Sequence, residues 1–281
     1  ENIYPLLFVP VYKDYLWGGD RIGRHFRRAA CPRVCAESWE ISDRSDGMSM
    51  VSNGMLSGAS LRQIVETMPE AVFGSDAHYQ TFPLLIKIID AAQCLSVQVH
   101  PDEKTAEELN GEAKTEMWYI LAAEAGAKIF AGFKGPTFPH DFEKAVRNNT
   151  VDTLLNSIPV KEGDAIYIPG GTVHAIGEGC LILEVQQNSN TTYRVYDWNR
   201  TDKHGKPREL HLDSALKAIN WKKDELQVIR SKDLSHADGN RIERIVSTPY
   251  FTVSRVELEN KEVFKNPSHG FSIVFIAKGS L

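Results

Sequence analysis

The chain has 281 residues, of which 42% are hydrophobic and 25% charged, which allows one large domain or two small ones with a proper core. Its formal net charge of -5 and its pI near 6.0 argue against a nonspecific nucleic-acid partner or an anionic membrane partner. No run of about 18 apolar residues and no signal-peptide pattern occurs, so the sequence predicts a soluble cytoplasmic protein.

Short segments of β character dominate the chain and are separated by clusters of Gly, Pro, Asn and Asp. In chain order they read LLFVPVY, ESWEIS, FPLLIKIID, LSVQVH, EMWYIL, AKIFAGF, DAIYIP, CLILEVQQ, TTYRVYDW, YFTVSRVEL and FSIVFIAK. Helical periodicity is confined to SLRQIVETM, DEKTAEEL, PHDFEKAVRNNTVDTLLNSI and LDSALKAIN. The pattern predicts a mainly β protein, with a barrel or double-sheet roll that carries helical insertions.

The predicted domains are a barrel domain over residues 1–222, with helical segments near 57–80 and 137–158, and a smaller β unit over 223–281. The boundary follows from the stretch WKKDELQVIRSKDLSHADGNRIER, where charge density rises and apolar periodicity fades. The chain ends on FIAKGSL, a strand and a turn with no partner strand behind them, and it lacks an initiator Met. We therefore expect the second unit to be small or incomplete.

The cysteines are too sparse for a disulfide framework. Cys31 and Cys35 have no matching second pair for a zinc site, and Cys94 and Cys180 lie far apart in the sequence. The sequence therefore predicts free thiols.

The segment LSVQVH raises a question about which of its faces is buried. Period-two geometry puts Ser96, Gln98 and His100 on one face and Leu95, Val97 and Val99 on the other. An ordinary half-buried strand would turn the polar face to solvent. A polar face turned inward would instead indicate a site.

Two later polar residues favour the inward reading. Glu116 opens the next predicted strand after LSVQVH, and His174 follows an apolar strand and a tight turn. Together with Gln98 and His100 they supply two imidazoles, a carboxylate and an amide oxygen. This set suits a borderline divalent ion such as zinc, with a position left open for water or substrate.

The stretch from Gly163 to His174 has a recognisable spacing. It resembles the second motif of the cupin superfamily, whose metal lies inside a small β-barrel. The matching residues are Gly163, Pro169 after five residues, Gly171 after one more and His174 after two more. The first motif of that superfamily is altered, because Gln98-Val99-His100 replaces the usual His-x-His and Glu116 lies farther on. The resemblance implies a cupin-type jelly-roll barrel.

Eight segments in order resemble the short bacterial form of the type I phosphomannose isomerases. They are KDYLWGG, AESWEIS, FPLLIKIIDA, LSVQVHPD, KTEMWYI, PGGTVHAIG, LEVQQNSNTTYRVYDWNR and ELHLDSALKAI. The resemblance implies one metal ion per chain, usually zinc although another divalent metal can serve, held by Gln98, His100, Glu116 and His174. It implies a sugar-phosphate substrate and the interconversion of mannose 6-phosphate and fructose 6-phosphate through an enediol.

Three further residues are candidates for catalytic roles. Lys114 faces the same way as Glu116 on an extended segment and is a candidate for proton transfer. Glu184 is a carboxylate on an otherwise core-like strand and is a candidate base or a neighbour of the metal ligands. Arg194 matches an arginine that the family places over the substrate, where a guanidinium stabilises negatively charged oxygens. The structural alternatives are a solvated lysine, a paired carboxylate and a salt bridge from Arg194 to Asp197.

The phosphate-binding residues are left open, with Arg21, Arg200 and Lys203 as basic candidates. Two other functions are also left open. One is an iron-dependent cupin oxygenase, which the altered first motif disfavours. The other is a non-catalytic cupin regulator that binds a sugar phosphate, which the presence of all the candidate site residues disfavours.

Overall fold

The computed structural model describes residues 3–75, 79–202, 204–222, 226, 228–230, 235–237, 240–258 and 270–279. Its strands are β1 (Phe8–Val9), β2 (Val11–Lys13), β3 (Glu37–Ile41), β4 (Met50–Val51), β5 (Leu84–Ala91), β6 (Val97–Val99), β7 (Glu116–Ala123), β8 (Lys128–Phe133), β9 (Leu155–Pro159), β10 (Ala165–Ile168), β11 (His174–Ile176), β12 (Cys180–Gln187), β13 (Tyr193–Tyr196), β14 (Val228–Ile229), β15 (Ser235–Ala237), β16 (Asn240–Ser247) and β17 (Thr252–Glu257).

The helices are short and lie between the strands. They are α1 (Arg21–His25), α2 (Leu61–Thr67), α3 (Pro69–Phe73), α4 (Glu103–Glu108), α5 (Pro139–Arg147) and α6 (Leu212–Ala218), with a single 3₁₀ turn at Val151–Leu154. Within the described ranges, none of them has the length and apolar character needed to cross a bilayer. The chain is therefore mainly β, as predicted.

Two sheets form the barrel that the cupin resemblance implies. The larger has seven strands in the order β14-β10-β7-β12-β5-β3-β2, and the smaller has five in the order β13-β6-β11-β8-β9. Neighbours such as β7 with β12 and β6 with β11 run antiparallel. Strands adjacent in these sheets are seldom adjacent in sequence, which is the connectivity of a jelly roll.

By its packing the chain separates into two compact units. One comprises Glu1–Val11, Trp39–Leu85 and Ser231–Leu281, and the other comprises Tyr12–Ser38 and Ile86–Arg230. The first unit contains a sheet of β15, β16 and β17. The predicted boundary between residues 222 and 223 stays a prediction, and β14 beyond it pairs with β10.

The smaller sheet is buried on both faces. Val97 and Val99 pack outward with Ala175 of β11, in a cluster that also contains residues of α5 and α6. On the opposite face of this sheet, Ile129 of β8 and Ile176 of β11 pack in the hydrophobic cluster of the barrel interior. Helices therefore cover the outer face of this sheet, so the polar face of LSVQVH is turned inward.

One residue of this segment was placed wrongly from the sequence. Leu95 was expected to share a face with Val97 and Val99, but it packs in the interior cluster with Trp118 and Ile176. The reason is that β6 begins only at Val97, so strict alternation does not extend back to Leu95.

A second expectation about strands was also wrong. FSIVFIAK forms no strand where it is described, over residues 271–278. Phe271 packs against Phe73 and Phe82, whereas Val274 is 59% exposed. No described strand pairs with this segment, and an extended apolar sequence becomes a strand only beside a partner strand. The cysteines, by contrast, are free thiols as predicted.

A buried ion pair ties the start of α1 to β5. Asp90 is fully buried and accepts hydrogen bonds from the backbone and the Nε of Arg21, both at 2.7 Å. The other end of Arg21 donates to the carbonyl oxygens of Gly179 and Cys180. One guanidinium thus joins three chain segments that are far apart in sequence.

Replacement of Asp90 by Ala is expected to reduce the free energy of unfolding by about 3–5 kcal/mol, because it leaves the guanidinium of Arg21 without its carboxylate. Asp20→Ala is the control, since its pair with Arg24 is solvent-exposed and is worth less than about 1 kcal/mol. Urea unfolding of the two variants checks this. Equal losses of unfolding free energy in the two variants would show that the buried pair stabilises the fold no more than the exposed pair.

Candidate metal centre and adjoining cavity

Three predicted metal ligands meet inside the barrel. His100 follows β6, Glu116 is the first residue of β7 and His174 is the first residue of β11. Their ligand atoms all lie within 4.8 Å of one another, and all three residues are at most 1% exposed. His174 Nε2 lies 3.4 Å from Glu116 Oε1, and His100 Nε2 lies 3.5 Å from Glu116 Oε2.

Strand register and one glycine turn bring these residues together. His174 stands directly opposite Gln98 in the ladder between β11 and β6. The backbone N–H of Gly171 donates to the carbonyl of His100 at 2.7 Å, and the φ of Gly171 is +86°. Because L side chains rarely adopt that φ, the motif needs glycine at this turn.

Both imidazoles are oriented by backbone carbonyls. His100 Nδ1 lies 2.8 Å from the carbonyl oxygen of Thr191, and His174 Nδ1 lies 2.8 Å from that of Thr172. A carbonyl only accepts, so each Nδ1 carries the proton and each Nε2 presents a lone pair to the cluster. Burial lowers the pKa of His174 to about 4 and that of His100 well below its usual range. Both rings are therefore neutral, as metal ligation requires.

Glu116 is the acidic member of the cluster that could hold a cation. Neither carboxylate oxygen accepts a hydrogen bond of normal geometry from the described residues, although Lys114 Nζ lies 3.0 Å from Oε2. Burial raises the pKa of Glu116 to about 7, and Lys114 opposes that effect. A buried carboxylate is costly unless its charge is compensated, and a divalent ion would add to the compensation that Lys114 provides.

Gln98 completes the predicted ligand set. Its Nε2 lies 3.4 Å from His174 Nε2, and its Oε1 accepts a hydrogen bond from Ser96. The amide oxygen and nitrogen exchange places on rotation of the group, so Oε1 can be turned toward the cluster. Two imidazole nitrogens, a carboxylate and an amide oxygen fit a divalent ion of the zinc type.

Lys114 bridges the metal cluster and a cavity. It is 5% exposed, and its Nζ lies 3.0 Å from both His100 Nε2 and Glu116 Oε2. The alternative of a solvated lysine is therefore wrong.

The adjoining cavity has a volume of about 270 Å³, which suits one small molecule. It lies within the unit that contains the metal cluster. Its lining residues are Tyr15, Trp17, Glu37, Lys87, Ile89, Leu95, Ser96, Gln98, Lys114, Trp118, Ile176, Glu184, Asn190, Thr192, Arg194 and Arg208. The predicted Lys114, Glu184 and Arg194 thus share one cavity.

Glu184 lies in the cavity wall as a charged carboxylate. Trp118 Nε1 donates to its Oε2 at 3.0 Å, and Lys87 Nζ lies 3.4 Å from its Oε1. Burial raises the pKa of Glu184, but Lys114, Lys87 and the Trp118 hydrogen bond outweigh that effect and leave the pKa below its usual range. Glu184 is therefore a paired carboxylate, as the structural alternative expected. Both members of the pair, Glu184 and Lys87, line the cavity.

Lys87 was missed by the sequence reasoning. It is 4% exposed on β5 and lies between Glu184 and Glu37, 3.7 Å from the latter. Burial would lower its pKa, but the two carboxylates raise the pKa above its usual range, so the ammonium stays charged. The available signal was a lysine inside the apolar run LLIKIID, where a solvent-facing residue is not expected.

Arg194 does not make the predicted alternative bridge to Asp197. Its Nε donates to Ser96 Oγ at 3.3 Å and its Nη1 to the carbonyl of Glu209 at 2.8 Å. Asp197 pairs instead with Arg200 and Arg208.

The basic residues considered for phosphate binding lie elsewhere or outside the description. Arg21 is engaged by Asp90, and Arg200 by Asp197 and the carbonyl of Cys94. Neither lines the cavity. Lys203 lies outside the described residues. Arg208, which the sequence reasoning did not select, lines the cavity.

A two-sheet barrel with a buried His–Glu–His cluster beside a small cavity defines a metal-binding protein of the cupin type. The family model "Phosphomannose isomerase type I, catalytic domain" matches residues 6–127. A probable mannose-6-phosphate isomerase, GmuF, from Bacillus subtilis is 37% identical over 93% of this chain and 82% of its own length. A mannose-6-phosphate isomerase from Streptococcus mutans is 38% identical over 90% of this chain and 79% of its own length.

A solved structure is also similar to this chain. The crystal structure of the mannose 6-phosphate isomerase from Bacillus subtilis superposes with a TM-score of 0.83 and 35% identity, over 91% of this chain and 80% of that one. The chain belongs to the type I phosphomannose isomerase family. The resemblance found in the sequence is confirmed.

Replacement of His174 by Ala is expected to abolish stable binding of a divalent ion such as zinc, because it removes an imidazole that the Thr172 carbonyl holds in position. His140→Ala is the control, since His140 belongs to α5 and not to the cluster. Metal content after dialysis against buffered zinc checks both variants. Full zinc occupancy in the His174 variant would contradict the ligand assignment.

Proposed function

We propose that this chain is a metal-dependent aldose–ketose isomerase that interconverts mannose 6-phosphate and fructose 6-phosphate. The observation that carries the proposal is the fully buried Glu116 carboxylate, grouped with two neutral imidazoles at the edge of a cavity. Membership of the type I family supports the reaction and the substrate. The metal that we propose is zinc, because its preferred N and O donors are those present.

Gln98, His100, Glu116 and His174 would hold the metal. When bound, it supplies a fixed positive charge that stabilises the negative charge developing on the substrate oxygens. The neutral imidazoles and the amide add no charge of their own, so the Glu116 carboxylate is the ligand that offsets the charge of the ion. Lys114, which shares contacts with His100 and Glu116, then faces the cavity beside a cationic site.

Two residues are proposed to move protons. Glu184 lines the cavity with its Oε1 3.4 Å from Lys87 Nζ, and the lowered pKa keeps the group ionised. We assign it the proton that leaves C2 of the open-chain aldose and is returned to C1. Lys114 donates a proton from Nζ to the C1 oxygen and recovers one from the C2 oxygen, so that the enediol forms and collapses with protons balanced.

Arg194 is proposed as an electrostatic stabiliser. Its guanidinium lines the cavity and is held by Ser96 and by the Glu209 carbonyl. A guanidinium does not deprotonate readily, so it acts by donating hydrogen bonds to enediolate oxygens and not by carrying protons. Ser96 also contacts Gln98, which links Arg194 to the proposed ligand set.

The other functions considered gain no support. Among the described residues, no arrangement favours an iron-dependent oxygenase over an isomerase. A regulator without turnover would not require a charged Glu184 and a buried Lys114 in the same cavity.

The test is isomerisation of mannose 6-phosphate by the purified protein, followed through fructose 6-phosphate with a coupled assay. Activity is expected to disappear on chelation and to return with zinc. A folded, zinc-loaded protein that binds mannose 6-phosphate and does not convert it would support the regulator instead. Oxygen consumption with added iron would support the oxygenase.

Arg194→Ala is expected to lower kcat by roughly 100-fold while the zinc content stays unchanged, because a hydrogen-bond donor to the developing charge is lost. Steady-state kinetics and metal analysis on the same preparation check this. A variant with normal kcat and only a raised KM would make Arg194 a binding residue and contradict the role assigned to it.

A further inference from the structure

A cluster of guanidinium groups lies beside the cavity with few carboxylates to neutralise it. Arg194, Arg200 and Arg208 gather around Asp197, which pairs with the last two. Glu209 is the other nearby acid, but its side chain is 84% exposed, so solvent screens its charge. The net charge of this group of side chains is therefore positive.

Asp197 holds Arg208 by one edge of its guanidinium. Arg208 Nε donates to Oδ2 at 2.7 Å and Nη2 to Oδ1 at 2.5 Å. This two-point contact fixes the plane of the group. The Nη1 has no hydrogen-bond acceptor among the described residues, so its two protons remain available on the side away from Asp197.

The backbone around Arg208 adds to this positioning. Thr201 and Pro207 form an isolated antiparallel bridge, and Asp202 N donates to the carbonyl of Lys206 at 2.9 Å. Arg208 follows directly after this hairpin, and its side chain is 25% exposed. It is therefore accessible from the cavity and held in one orientation.

Arg194 shows the electrostatic effect of this arrangement. Burial lowers the pKa of its guanidinium, and repulsion from Arg208 lowers it further. Two cationic groups that repel each other across a cavity are stabilised by an anion that binds between them.

We propose that Arg208, positioned by Asp197, binds the phosphate group of the sugar phosphate in this cavity. The inference rests on the proposed function for the identity of the sugar, whereas the anion site itself follows from the guanidinium cluster. Planar guanidinium groups bind phosphate oxygens with charge-assisted hydrogen bonds. Arg200 is less suited, because its donors are taken by Asp197 and the Cys94 carbonyl and it does not line the cavity.

The test compares Arg208→Ala with wild type in kinetics and in binding. We expect KM for mannose 6-phosphate to rise roughly 10- to 100-fold with kcat changed by less than about threefold, since the contact is remote from the reacting carbons. Competitive inhibition by inorganic phosphate should weaken by a similar factor. Arg147→Ala is the matched control, because its pair with Glu143 lies on the exposed face of α5, and it should change neither quantity.

Two further variants separate phosphate binding from a structural role. Arg208→Lys keeps the charge but loses the two-point contact with Asp197, and we expect an intermediate KM. Asp197→Asn should raise KM through the loss of positioning, with zinc content unchanged. A folded Arg208→Ala protein with normal KM and normal phosphate inhibition would overturn the proposal, as would a loss confined to kcat.

Calorimetric titration with mannose 6-phosphate and with inorganic phosphate keeps the two proposals distinguishable. If wild type binds both and converts nothing, the proposed isomerase function fails while the Arg208 site is still tested by the affinity difference. Weaker binding by Arg208→Ala then supports the site, and equal binding overturns it.

Discussion

The burial of the Glu116 carboxylate is the constraint on which the site depends. A carboxylate at the centre of a barrel loses its hydration, which raises the free energy of its charged form. The neighbouring Lys114 ammonium offsets part of the cost. A bound cation would complete the compensation, so the position of this carboxylate is the main support for the proposed metal site.

Hydrogen bonds around the metal cluster fix the position of this carboxylate relative to the imidazoles. The Thr191 carbonyl that orients His100 lies in the loop after β12. That loop is tied to the segment before β7, because Ser189 Oγ donates to the Glu112 carbonyl and Asn190 N to the Glu112 carboxylate. The loop that orients one ligand is therefore fastened to the segment that carries Lys114 and Glu116.

Sequence reasoning predicted the residues whose placement follows from strand alternation and motif spacing. The inward face of LSVQVH, the glycine turn before His174 and the position of Glu116 at the start of β7 all depend on local geometry, and they were found as expected. Lys87 and Arg208 were not found, because a basic residue in a sequence does not show which carboxylate it will meet in the fold. Lys87 and Glu184 are 97 residues apart, and no local sequence pattern predicts that they form a pair.

The segments where prediction failed differ from these in a physical way. Leu95 precedes the first hydrogen-bonded residue of β6, so alternation does not apply to it. FSIVFIAK has the composition of a strand, but a strand is stable only when a neighbour satisfies its backbone groups. Composition therefore predicted the propensity of that segment correctly and its structure wrongly.

The charges around the cavity divide into two groups with different tasks. On one wall, Lys87 lies between Glu37 and Glu184, and its charge compensates theirs in part and holds Glu184 in place. Around Asp197, the cations exceed the anions. A neutral sugar would gain little from such an excess, whereas a sugar with an anionic group gains a charge-assisted contact and a fixed orientation. The asymmetry of charge would thus orient the sugar phosphate, so that the proposed acid–base pair, Glu184 and Lys114, acts on a defined pair of carbon atoms.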